Sequence, residues 1–120
     1  MTTFKSTDHK FTVYDESRSV DCYLIVGFLD EQNRKLFQHL NIGDICYLDL
    51  RVSNKTSGSK MIEIMISMIS EFIADGAKVE TAIRVLKYQK FSPGTVEHDG
   101  TADIRGSICD YIGRYLEGLQ

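Results

Sequence analysis

The hydrophobic period of this chain changes once, between Val52 and Lys60, and that change constrains its fold more than any other feature. Ahead of it, apolar residues alternate or run together as in strands. Behind it they recur every three or four positions, as on helices. Ile45-Cys-Tyr-Leu-Asp-Leu-Arg-Val52 is the clearest strand. Cys46, Leu48, Leu50 and Val52 share one face, the expected core side, and Ile45, Tyr47, Asp49 and Arg51 share the other. Phe11–Tyr14 alternates over a shorter run, and Val20–Leu29 is nearly continuous from Cys22 onward, as expected of a well-covered strand. Asp30-Glu-Gln-Asn-Arg34 supplies turn chemistry, so Lys35–Leu40 is expected to return as the second strand of a hairpin. Asn41-Ile-Gly-Asp44 reads as a further turn.

The second half predicts three helices. From Lys60 to Asp75, apolar residues at 61, 62, 64, 65, 66, 68, 69, 72 and 73 form a stripe so wide that the helix is expected to be buried on most of its girth. Ser57 or Ser59 can cap its start, and Gly76 closes it at the C′ position. Met61, Met65 and Met68 on this helix could form an adaptable binding face, but core packing is the preferred reading. A shorter helix runs from Val79 to about Tyr88, and a third from about Asp103 to Leu119 with Thr101 or Asp103 as its cap. Strands first and helices afterwards give an α+β class: an antiparallel sheet from the N-terminal half, with the C-terminal helices packed on one face. At 120 residues a single domain over 1–120 is expected.

Composition removes several function classes. A net charge of −3 with no Lys/Arg run argues against nucleic acid as a partner. Residues 1–20 lack a signal-peptide core, and no apolar run approaches the ~20 residues of a membrane span, so a cytoplasmic protein with no membrane partner is expected. Cysteines 22, 46 and 109 and histidines 9, 39 and 98 show neither disulfide nor metal-ligand spacing, so no metal is expected. Phosphate-loop, nucleophile-elbow and zinc-protease motifs are all missing. No catalytic residue and no cofactor is therefore assigned.

What remains is the segment Lys90–Leu119. Phe91-Ser-Pro-Gly94 sets an aromatic ring at the start of a Pro-Gly turn, and Val96–Gly100 reads as a polar loop leading to the third helix. On that helix Ile104, Ile108, Ile112 and Tyr115 form the apolar side, while Ser107, Asp110, Tyr111 and Arg114 share an opposing polar strip. Gly106, Cys109 and Gly113 form a strip almost without bulk. Each helical glycine costs ~1 kcal/mol relative to alanine, which a close neighbour must offset: another helix, a second subunit or a ligand. Asp110 and Arg114 can be an ordinary surface pair. Beside Tyr111, the glycine strip and the Phe91 turn, they instead suggest recognition of a nucleotide-type small molecule, since an arginine fork suits a phosphate and aromatic rings suit a base. Arg105 lies half a turn from Arg114, so the two can meet one ligand only from different subunits. A homo-oligomer with helix-mediated subunit contacts is therefore expected.

Phe91-Ser-Pro-Gly94 followed by Ser107-Ile-Cys-Asp-Tyr-Ile-Gly-Arg-Tyr-Leu116 resembles the close of the TSCPD domain, found free-standing and at the C-terminus of adenosylcobalamin-dependent (class II) ribonucleotide reductases. Tyr47–Val52, Ile64–Gly76 and Val79–Leu86 are similar to the strand and two helices of that family, so the likeness covers about residues 45–119. The family's cysteine-rich signature and the reductase radical machinery are missing. The resemblance thus implies a fold and a nucleotide-facing surface, not a reductase activity. In size and layout the chain is also similar to phage anti-defence sponges, which sequester cyclic ADP-ribose-type or cyclic-nucleotide signals in evasion of Thoeris defence. These likenesses imply non-enzymatic binding, with Phe91 stacking a base and Arg105 and Arg114 meeting phosphates. An accessory partner of ribonucleotide reductase, acting by protein contact, is the alternative.

Overall fold

A computed structural model describes residues 5–15, 18–53, 57–87, 95–98, 101–103 and 108–120. In chain order its elements are β1 (Lys5–Asp15), β2 (Arg18–Phe28), a 3-10 turn (Arg34–Leu36), β3 (Ile45–Val52), α1 (Ser57–Ala74), α2 (Val79–Leu86), β4 (Thr95–His98), β5 (Thr101–Asp103) and α3 (Ile108–Gly118). The strands form one sheet in the order β3-β2-β1-β4-β5, and β4 pairs antiparallel with both β1 and β5. The α+β class read from the sequence is the class observed. Two compact units make up the chain: Met1–His9 with Tyr23–Lys78, and Lys10–Cys22 with Val79–Gln120.

In the first unit β3 alternates as its sequence requires, with Cys46, Leu48, Leu50 and Val52 buried and Tyr47 and Arg51 exposed. Ile45, expected on the outer face, is buried as well. α1 packs against β3 through Ile66, Ser70 and Ile73, which recur at spacings of three and four. Ser70 Oγ accepts a 3.0 Å hydrogen bond from the Leu48 backbone N–H, so the helix satisfies a donor on the edge strand of the sheet. The end of α1 is a Schellman motif. Ala77 N–H donates to the Phe72 carbonyl at 2.8 Å and Gly76 N–H to the Ile73 carbonyl at 3.2 Å, while Gly76 takes φ +116°. His39 Nε2–H also donates to the Ile73 carbonyl, at 2.8 Å, and ties the preceding loop to this helix end.

Residues 35–40 depart from the expected strand. They form the 3-10 turn and the turns after it, with Phe37 buried in a cluster with Leu29 and Cys46. The apolar positions here are Leu36, Phe37 and Leu40, a spacing that fits one helical turn better than an alternating strand. Asp30 fixes the entry: its Oδ1 accepts from the Asn33 backbone N–H at 3.1 Å and from Asn33 Nδ2 at 2.9 Å.

α1 also departs from expectation. Met61, Ile64, Met68 and Phe72 are 70%, 52%, 51% and 54% exposed, so the helix is not buried on most of its girth and two of its three methionines lie outside the core. The buried contact with β3 is made by Ile66, Ser70 and Ile73, whereas Ile64, Met68 and Phe72 line an open groove beside Asp49 and Leu50.

In the second unit the polar loop expected at Val96–Gly100 is in part strand. Val13 pairs with Val96 and Thr12 with Glu97 between β1 and β4, and His98 pairs with Thr101 between β4 and β5. Thr101 and Asp103, expected as caps of the third helix, therefore lie in β5. Two residues, Asp99 and Gly100, separate the paired ends of this hairpin, and Asp-Gly is a favoured sequence for such a link. α2 and α3 pack against each other, and Lys87 Nζ reaches Glu117 Oε2 at 2.8 Å.

Candidate functional site

Of the six residues assigned from the sequence, Asp110, Tyr111 and Arg114 are described, whereas Phe91, Arg105 and Ser107 lie outside the described residues. The first three sit together on α3 within the second unit. Asp110 occupies the first turn of the helix, where the backbone N–H groups favour a carboxylate, and it is only 3% exposed. Arg114 follows one turn later. Its Nε–H lies 3.1 Å from each Asp110 carboxylate oxygen, and its side chain remains 37% exposed.

This pair is not the ordinary surface contact that its spacing allows. One end is a buried carboxylate that must be neutralised where it stands. The other end is a guanidinium anchored through Nε, with more than a third of the side chain reaching the surface. Such a group has a defined orientation before any ligand arrives, which is the condition for planar recognition of an anion.

Tyr111 is half-buried, and its ring lies against Phe11 of β1 with centroids 4.8 Å apart and planes at 45°. The polar strip expected to face a ligand is therefore largely turned inward: Asp110 is buried and Tyr111 packs on the sheet. Sequence reading missed Phe11 as the aromatic companion of the site. The signal was limited to the alternation of Phe11–Tyr14, which places Phe11 and Val13 on one face without naming what covers them. Nearby, Thr12 Oγ1–H donates to Asp21 Oδ1 at 3.0 Å and His98 Nδ1–H to the Lys10 carbonyl at 2.9 Å, so the polar groups on these strands are tied locally.

The glycine strip has its neighbour within the chain. A Cβ at Gly113 would meet Leu86 Cβ and the Lys87 backbone nitrogen at 3.0 Å, so α2 is what the missing side chain admits. A second subunit or ligand is not required to explain Gly113. Gly106 lies outside the described residues.

Two buried thiols are poorly disposed to nucleophilic attack. Burial pushes the Cys109 thiol up to about 11. Burial, reinforced by the Asp30 carboxylate, pushes Cys46 up to about 11. Both are protonated at neutral pH and make poor nucleophiles. Among the described residues no three His, Cys, Asp or Glu side chains come together as a metal site, and no helix is long and apolar enough to cross a membrane. A groove of about 280 Å³ between α2 and α3 is bridged by the Lys87–Glu117 pair and by Gln120 Nε2 donating to Glu80 Oε1 at 3.2 Å. It falls just below the usual size of ligand pockets. Comparison with family models, with curated proteins and with solved structures finds no match.

Proposed function

We propose that this chain is a non-enzymatic binding protein for a nucleotide-type anion, and that Arg114 is its phosphate contact. The observation that carries this reading is the anchoring of a partly exposed guanidinium by the buried Asp110 carboxylate, beside the Tyr111–Phe11 aromatic pair. Anchoring lowers the entropy lost when the fork closes on a phosphate. The resemblance of Phe91–Gly94 and Ser107–Leu116 to the TSCPD domain adds the remaining members. Phe91 stacks the base, Ser107 donates to the ligand, and Arg105 meets phosphate from a second subunit. Sequestration of a cyclic ADP-ribose-like or cyclic-nucleotide signal is the role that suits a chain whose Cys46 and Cys109 thiols are protonated at neutral pH and whose sequence carries no phosphate-loop, nucleophile-elbow or zinc-protease motif.

Titration calorimetry with cyclic ADP-ribose isomers and cyclic dinucleotides tests this. The wild type is expected to bind at least one of them. Arg114→Lys keeps a cation beside Asp110 but loses the planar fork, and should weaken binding by about tenfold or more. Ligand recovered unchanged after denaturation distinguishes sequestration from turnover. Absence of binding to every nucleotide tried overturns the reading.

A further inference from the structure

Among the described residues, four of the exposed large apolar side chains lie on α1. Met61, Ile64, Met68 and Phe72 follow one another at steps of three, four and four, so they form a single exposed stripe about 16 Å long, of which Ile64, Met68 and Phe72 line an open groove with Asp49 and Leu50 of β3. Together they expose roughly 400 Å², within the range of the largest apolar patch on a typical monomer and about half of one partner's share in a standard interface. Lys60 and Glu71 are also exposed. They lie three helical turns apart on the same flank of the stripe, and neither forms an ion pair with another described residue.

We propose that this stripe binds a second copy of the chain, with the two α1 helices antiparallel about a two-fold axis near Ile66. The sequence of the stripe is self-complementary in that arrangement. Met61 meets Phe72 of the second copy, Ile64 meets its Met68, and the same contacts repeat on the other side of the axis. Antiparallel helices related by a two-fold bring like flanks together. Each Lys60 therefore falls within about one residue's rise, ~1.5 Å, of the level of the second copy's Glu71. A parallel pair would instead place the two Lys60–Glu71 flanks on opposite sides of the interface, where no Lys60–Glu71 pair could form across it. Charge thus selects the antiparallel register that the apolar residues also require. The modest area makes this a concentration-dependent dimer rather than an obligate one. The proposal rests on α1 alone and stands or falls separately from nucleotide binding at α3.

Sedimentation velocity on the full chain, from micromolar to submillimolar loading, is expected to show a monomer–dimer equilibrium. Met68→Lys places a charge in the middle of the stripe, at a position already exposed in the monomer, and should weaken the dimer about tenfold or more. Lys60→Glu should weaken it by up to about fivefold for each ion pair, and combining it with Glu71→Lys should restore it. Register is tested by mixing Ile64→Cys with Met68→Cys protein under oxidising conditions: the antiparallel pair gives the mixed disulfide. Preferential 64–64 cross-linking overturns the register. Dimerisation indifferent to Met68→Lys overturns the face. A chain monomeric at every concentration overturns the proposal and leaves the stripe to a partner of another kind, for which the flanking Asp49, Glu63 and Glu71 predict basic chemistry.

Discussion

At the scale of single residues, the properties of α3 turn on two positions. The Asp110 carboxylate is buried and lies against the Arg114 guanidinium at 3.1 Å. Arg114→Met should remove the charged partner of that carboxylate and, because the guanidinium is 37% exposed and partly screened, cost about 1–3 kcal/mol in urea denaturation. Asp110→Leu combined with Arg114→Met should recover most of the loss, because it removes both charges at once. The second position is Gly113, whose absent Cβ makes room for Leu86 Cβ and the Lys87 backbone nitrogen. Gly113→Ala should destabilise by about 1–3 kcal/mol, since overpacking against a backbone atom outweighs the ~1 kcal/mol that alanine gains in a helix. At Gly118 of the same helix a Cβ would meet nothing within 4 Å. Gly118→Ala should therefore be neutral or stabilising by up to ~1 kcal/mol. Opposite signs for the two glycines in thermal melts are the expected outcome, and equal effects would show that close packing is not what Gly113 serves.

At the scale of elements, the contact between α1 and β3 depends on one hydroxyl as well as on apolar packing. Ser70→Ala leaves the Leu48 N–H without its acceptor on the edge strand and should cost about 1–3 kcal/mol by chemical denaturation, more than an exposed serine would. β3 and the end of α1 were legible in the sequence because their signals are local: strict alternation from Cys46 to Val52, and a glycine just past the last helical residue. The 3-10 turn was not, because Leu36, Phe37 and Leu40 give too short a run to separate one helical turn from a strand. The β4–β5 hairpin hid behind strands of four and three residues, and only Asp99-Gly100 marked it. The exposed stripe of α1 was misread for a different reason. Periodicity reports which side chains are apolar, whereas burial depends on what packs against them. At the site, the spacing of Asp110 and Arg114 was readable, but an i,i+4 pair has the same sequence whether its carboxylate is buried or wet. The aromatic contact with Phe11 spans a hundred residues of chain and had no local signature.

At the scale of the whole molecule, buried thiols give the stability a defined alkaline limit. Cys46 lies in one compact unit and Cys109 in the other, and burial raises each from an ordinary 9.0 to about 11. Through neutral pH both thiols are protonated in the folded and the unfolded chain, so neither contributes any slope. Above pH 9 the unfolded chain loses these protons while the folded chain keeps them. Every further rise in pH then favours unfolding, until the folded thiols also ionise near pH 11. Each thiol can remove up to about 3 kcal/mol across this window. Because one of these two raised thiols sits in each unit, neither half of the chain escapes the loss. Thermal unfolding followed from pH 7 to pH 11 should show little thiol-dependent change below pH 9 and a steep fall above it. Cys46→Ala and Cys109→Ala should each flatten part of that fall while lowering stability at pH 7, where the missing sulfur leaves a small cavity. If the double variant kept the full alkaline slope, the fall would belong to lysine and tyrosine titration, and buried thiols would not set the limit.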